Sequence, residues 1–220
     1  MTRPVSPHRR TNVVDRALSY PDLPLVAIDL ASVESYLLVR PLSYLAVERD
    51  GALWCPLPSK PASLDLDTDA ARIHAHRLRL PFVRPERHPA PVLGAMRIAA
   101  LAAARSRAAI FTVRATRLAW STGADLDHLE LGAGLADADA DDDPEGYLRL
   151  MAEEIGLSVT DAKLAACEGS EWDRELHAIA DGLAELGICA TPALRWRGKL
   201  HTGLTSISAV LAESEGNLPR

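Results

Sequence analysis

Cysteine is scarce. The only three, Cys55, Cys167 and Cys189, fall outside any CxxC spacing. An odd, scattered set excludes a disulfide framework and offers no metal-ligand spacing. It reads as buried free thiols in a reducing cytoplasm. The chain also lacks the ~20 consecutive apolar residues of a membrane span. Its first 24 positions carry basic residues but not the apolar stretch of a secretory signal. A Gly-rich phosphate loop is missing. So is a basic field: 30 Asp and Glu outnumber 24 Lys and Arg, for a net charge of −6. That balance excludes a general nucleic-acid binder.

Metal chemistry finds no support either. His74 and His76 stand two apart, which turns them to different faces of a helix. The acidic run at 137–143, "DADADDD", lacks the Gly and distal Glu of a calcium loop. It reads as a solvated acidic loop ahead of the next helix.

What is present is an ordinary soluble composition: 220 residues, of which 48% are apolar. That suffices for one substantial domain, or a small domain carrying an insertion. Residues 1–24 hold Pro4, Pro7, Pro21 and Pro24 and read as a mobile arm or an edge cover. "LPLVAIDLA" is a short, nearly continuous apolar run suited to a buried central strand. From Val33 to about Arg49 the apolar spacing is helical, with Pro41 expected to kink the helix or restart it. "ALWCPLP" then reads as a second strand, parallel to the first if the helix crosses over.

The middle changes character. "LDTDAARIHAHRLRL" is helical, opened by Asp67 or Thr68. "PFVRPERHPAP" must be a loop. The alanine-rich run from Val92 to Gly123 predicts a long helical stretch interrupted near Ser106. "ADLDHLELGAGLADA" continues as short helix and turn. Three more helical patterns follow, the later two opened by Thr160-Asp161 and Ser170-Glu171 and the set closed by Gly156, Gly169 and Gly187. "ATPALRWRGKLHTGL" alternates around Arg197-Gly198 and predicts a β-hairpin. A final amphipathic helix takes Thr205 as its cap. The order is β-α-β, a long helical block, then β-β-α. Together the outer parts have the content of a thioredoxin-like α/β fold. They span 25–62 and 188–214, split by an all-helical insertion at 63–187.

Several motifs, in order, resemble the DsbA-like thioredoxin superfamily. Within it they are most similar to 2-hydroxychromene-2-carboxylate isomerases and kappa-class glutathione transferases. Where those proteins read D-F-x-S-P-Y-S-Y-L, "DLASVESYL" keeps Asp29, Ser32, Ser35, Tyr36 and Leu37. Trp54-Cys55-Pro56 resembles W-R-P, and Asp69 with Arg72 resembles D-x-x-R. Pro89 and Arg97 match P…R, and Phe111, Ala119, Trp120 and Gly123 match F…A-W…G. "GICATPAL" is similar to the hairpin start, with Pro192 in the position of the cis-proline. Val33 and Glu34 depart from Pro-Tyr. Pro91 replaces an Asn, and Leu204-Thr205-Ser206 replaces a Ser-Asp or Asp-Arg.

The resemblance implies a cytoplasmic, glutathione-dependent isomerase or transferase acting on a small conjugated or aromatic substrate, in a homodimer. It implies that Ser32 holds the glutathione thiolate and that Thr191, Pro192, Thr205 and Ser206 bind the tripeptide. Ser35, Arg97 and Trp120 would then line the substrate. Read by themselves, the residues leave alternatives. Ser32 can be a helix cap or an anion-site hydroxyl. The bond into Pro192 can be trans or cis. Arg97 can face a cleft or pair with an acid, and Trp120 can be core. The arginines at 72, 77, 79, 84 and 87 can attract an anion or merely be solvated. Glu34 would bring a carboxylate close to a bound thiolate. Because a serine cannot form a disulfide, dithiol exchange at this turn is excluded. The alternative function is a degenerate thioredoxin-fold binding protein whose cleft has closed.

Overall fold

The computed structural model describes residues 13–48, 51–59, 68–127 and 151–215. β1 (Leu25–Ile28) leads into α2 (Val33–Glu48), which returns the chain to β2 (Leu53–Pro56). The hairpin of β3 (Ala193–Trp196) and β4 (Lys199–Thr202) completes a sheet of order β2-β1-β3-β4. β1 runs parallel to β2 in the register Val26↔Trp54 and antiparallel to β3 in the register Ala27↔Ala193. The crossover is therefore the parallel one expected of a strand, helix and strand. The hairpin turns on Arg197 and Gly198, both with positive φ (52° and 75°), the two-residue turn that matches strand twist.

β1 is buried along its whole length, which is why its sequence is continuously apolar rather than alternating. Its side chains still divide by face. Leu25 and Ala27 join one buried cluster with Leu53, Cys55 and Ala193. Val26 and Ile28 join a second with Trp54, Leu194 and Trp196. The second face is covered by α2 and by α8 (Gly203–Glu215), through Leu38, Val39, Leu42, Ile207 and Leu211. On the first face lie α1 (Val13–Ser19), α4 (Leu93–Ala104), α6 (Val159–Ala166) and α7 (Glu171–Glu185). α3 (Thr68–Arg77) and α5 (Ala108–Thr122) pack on α2.

The break near Ser106 falls between α4 and α5, where Ser106 takes φ 57°. α5 stops at Gly123, φ +81°, and a Cβ there would lie 2.8 Å from Val83. That close approach seats the proline-rich loop on the end of α5, since Val83 N–H also donates to the Trp120 carbonyl at 2.7 Å.

Several expectations need correcting. Residues 13–19 are a docked helix rather than a mobile arm: Val14 and Ala17 are buried, and Gly182 gives Val14 room that a Cβ would fill at 2.6 Å. α2 continues through Pro41, so no second segment starts there. α6 is capped by Ser158, whose hydroxyl accepts from Asp161 N–H at 3.3 Å, so Thr160 and Asp161 lie in the first turn. α8 starts at Gly203, so Thr205 is inside it rather than its cap. Of the cysteines only Cys55 is buried; Cys167 and Cys189 are exposed. The acidic run at 137–143 lies outside the described residues, as does most of the 124–138 segment. Among the described residues, no helix is long and apolar enough to cross a membrane.

Candidate active site

Past the end of β1 the chain makes a tight polar turn. The Asp29 carboxylate folds back to accept from Ala31 N–H at 2.8 Å, and the Asp29 carbonyl accepts from Ser32 N–H at 3.1 Å. Such a local carboxylate bond competes with regular structure and starts the turn. Ser32 then caps α2, its Oγ accepting from Ser35 N–H at 3.3 Å. Ser35 supports the turn from beneath, where its Oγ accepts from Asp29 N–H at 3.3 Å. Ser35 is fully buried, whereas Ser32 keeps 6% of its surface exposed. Capping uses a lone pair of Ser32 and leaves its hydroxyl hydrogen to give.

The Thr191–Pro192 peptide is cis. The β1–β3 register, with Ala27 opposite Ala193, carries Pro192 to the end of Ile28 and Thr191 to the level of Asp29. A third segment joins them. Ser59, just past β2, donates its N–H to Asp29 Oδ2 at 2.6 Å, and its Oγ lies 2.5 Å from Thr191 Oγ1. Beyond the hairpin, Gly203 N–H donates to the Pro192 carbonyl at 3.0 Å. The Glu34 carboxylate accepts from Leu204 N–H in the first turn of α8. Thr205 and Ser206 follow, exposed in the same turn. The starts of α2 and α8 and the cis-proline thus meet at one end of the sheet.

Two carboxyls serve this end. Burial pushes the Asp29 carboxyl up from the ordinary aspartate range, opposed by donation from Ser59 and Ala31. Burial likewise raises Glu34, opposed by the Leu204 N–H. Among the described residues, neutral donors oppose the burial of each. The Glu34 carboxylate is turned to the start of α8, at Gly203 and Leu204.

A small, half-open apolar pocket of about 30 Å³ adjoins the turn, walled by Leu30, Ala31, Trp120, His88, Val92 and Leu126. Trp120 is 2% exposed and donates its indole N–H to the Leu30 carbonyl at 3.3 Å. It stacks between Tyr36 and Phe82, with centroids 6.5 and 5.9 Å away, and meets His88 edge-on at 4.8 Å. Tyr36 donates to the Pro81 carbonyl at 2.5 Å. These aromatic contacts fix the proline-rich loop against the turn. Trp120 is therefore core and pocket wall at once.

Arg97 does not reach this end. Its Nε donates to Asp173 at 2.5 Å and its NH1 to the Ala166 carbonyl at 2.9 Å. It clamps α4 to α6 and α7, which corrects its expected place beside a substrate. The arginine cluster is likewise engaged in part: Arg72 pairs with Asp69, Arg87 with Asp125, and Arg84 donates to the His88 carbonyl. Ser32, Ser35, Thr191, Pro192, Thr205 and Ser206 are brought together. Sequence reasoning missed Ser59 and gave Asp29 no role. For Asp29 the available signal was a polar residue just beyond the carboxyl end of a central strand; Ser59 follows an edge strand and offered none.

No family model matches the sequence, and a search of curated proteins finds no match. The fold, however, is shared with solved structures. A 2-hydroxychromene-2-carboxylate isomerase superposes with a TM-score of 0.58 at 15% identity, over 90% of this chain and 100% of that one. A probable DsbA oxidoreductase from Streptomyces coelicolor superposes with a TM-score of 0.60 at 16% identity, over 90% and 91%. The chain has the DsbA-like thioredoxin fold with its helical insertion.

Proposed function

We propose that the protein is a glutathione-dependent isomerase or transferase acting on a small aromatic or conjugated substrate. One observation carries it: the Ser32 hydroxyl, with its hydrogen unspent at the start of α2, shares the end of the sheet with cis-Pro192. The residues fit a thiol peptide. The Ser32 O–H and the free N–H groups of the helix start suit a thiolate and lower its pKa. The backbone of Thr191 offers N–H and C=O to an extended peptide, and the exposed hydroxyls of Thr205 and Ser206 suit its polar end. The small apolar pocket beside Trp120 offers contact to the edge of an apolar substrate. Glutathione would supply a thiolate that adds reversibly to a conjugated bond. The chain's own part is to hold that sulfur, to align the substrate against it and to exclude water. A reducing, cytoplasmic setting follows from the need for a free thiol.

Calorimetry with glutathione tests this. Binding at millimolar concentration or tighter, lost in Ser32→Ala, is expected; absence of heat at millimolar concentration removes the proposal.

A second reading, a binding protein that has lost catalysis, is favoured by one feature. Glu34 already occupies the Leu204 N–H, a donor that a ligand carboxylate would otherwise take. Glu34→Ala, which removes the acceptor and frees the Leu204 N–H, separates the two: glutathione binding that appears only in this variant supports the second reading. Insulin reduction stays at background under both, since Ser32 and Ser35 stand where a dithiol would be needed.

A further inference from the structure

Asp29 is a carboxyl that the proposed thiol chemistry does not use. It is 2% exposed, and its contacts run outward in a chain. Ser59 donates to it through the backbone N–H at 2.6 Å, and the Ser59 hydroxyl lies on the same carboxyl. A hydroxyl has one hydrogen. Either oxygen can donate across the 2.5 Å contact between Ser59 Oγ and Thr191 Oγ1; an ionised Asp29 can only accept, so in that state the Ser59 hydrogen turns to it and Thr191 donates. Thr191 is partly exposed, immediately before cis-Pro192.

We propose that Asp29, Ser59 and Thr191 form a proton relay that carries the protonation state of a buried carboxyl to the mouth of the site. Thr191 is the group that touches substrate, and Asp29 is a positioning residue acting through Ser59. With Asp29 ionised, both hydroxyls point inward and Thr191 Oγ1 offers only lone pairs to a ligand. With Asp29 protonated, the chain reverses. The Asp29 O–H gives to Ser59, Ser59 gives to Thr191, and the Thr191 hydrogen points outward. Loss of that hydrogen to an enolate or similar basic atom, with one proton passing along each of the two inner contacts, returns Asp29 to carboxylate. Each O–H broken is matched by one formed, and no other reactant is required. Uptake of a proton from a substrate is the same sequence reversed.

Among the described residues, the groups around Asp29 leave this titration to Asp29 itself. On α2, Glu34 is turned to Leu204 N–H and Tyr36 donates to the Pro81 carbonyl. On β2, burial pushes the Cys55 thiol up, so it stays neutral. On the loop before β3, Cys189 is exposed; on the proline-rich loop, His88 lies against Trp120. Burial is what raises the Asp29 carboxyl, and its opponents are neutral donors rather than charges.

The inference rests on this end of the sheet being the site, but not on glutathione being its occupant. The full-length protein without ligand is titrated by NMR, following the Asp29 carboxyl carbon and the Thr191 amide and methyl. In the wild type, Thr191 is expected to titrate with the midpoint of Asp29. In Ser59→Ala, Asp29 still titrates and the Thr191 step is lost; Ser59→Thr, which keeps a hydroxyl, restores it. A Thr191 that is flat in the wild type, or an undiminished step in Ser59→Ala, overturns the relay. If glutathione fails to bind while Thr191 follows Asp29, the relay stands and the glutathione proposal falls.

Discussion

Two buried polar clusters lie in this fold, and they are stabilised in opposite ways. In the helical part, the Arg97 guanidinium is met by a carboxylate and a carbonyl, and the Asp173 carboxyl is held below its usual range by that pairing. At the end of the sheet, Asp29 and Glu34 are held by neutral N–H and O–H donors, and burial pushes both up. A buried charge met by its opposite is spent on holding helices together. A buried carboxyl without a cation is left with a proton that is easier to add, and perturbations of this kind gather at functional sites.

The comparison breaks first at Arg97. Arg97→Ala strands Asp173 and the Ala166 carbonyl, and removing one partner of a buried pair costs about 3–5 kcal/mol. Asp173 is partly exposed, so the lower end, about 3 kcal/mol, is expected in denaturant midpoints. An unchanged midpoint would mean that the clamp is ornamental.

The two clusters should also respond to pH with opposite signs. Asp29 has a raised folded pKa. Its native state therefore binds the extra proton between the ordinary aspartate value, about 3.9, and the folded value. Stability falls as pH rises through that window, by about 1.4 kcal/mol for each pH unit between the two values. Asp173 has a depressed folded pKa; its contribution is present above the ordinary value and lost as pH falls toward the folded one. Urea titrations of the wild type, Asp29→Asn and Arg97→Ala across acid pH resolve the two. Slopes of the same sign would erase the distinction.

Smaller effects sharpen it. Ser32→Ala removes a cap and should lower stability by about 1 kcal/mol while abolishing glutathione binding. Ser158→Ala removes the exposed cap of α6, with an expected loss of about 0.5 kcal/mol and unchanged binding by calorimetry. Equal consequences for binding would reduce Ser32 to a cap like any other.

Much of the fold was legible because its signals are local. The unbroken apolar run of β1, the Arg197-Gly198 turn and the interruption at Ser106 each follow from a few adjacent residues. Thr191-Pro192 and Ser32 were legible as candidates because both stand at element junctions in an ordered series of motifs. Other features depend on distant partners. Val14 docks because Gly182, far along the chain, leaves room for it. The lack of an N–H at Pro41 does not stop α2, a helix buried among α3, α5 and α8, where tertiary packing outweighs the local break. Arg97 matched a motif, yet its role is set by Asp173. Ser59 carries no pattern of its own, and only the β1–β2 pairing brings it beside Asp29.

The most direct trial of the site is the ultraviolet absorbance of the glutathione thiolate during a pH titration, with and without protein. On binding the wild type, the thiol should ionise at lower pH than free glutathione, and in Ser32→Ala this difference should vanish. A thiol that ionises at the same pH with or without the wild-type protein would contradict the role given to Ser32.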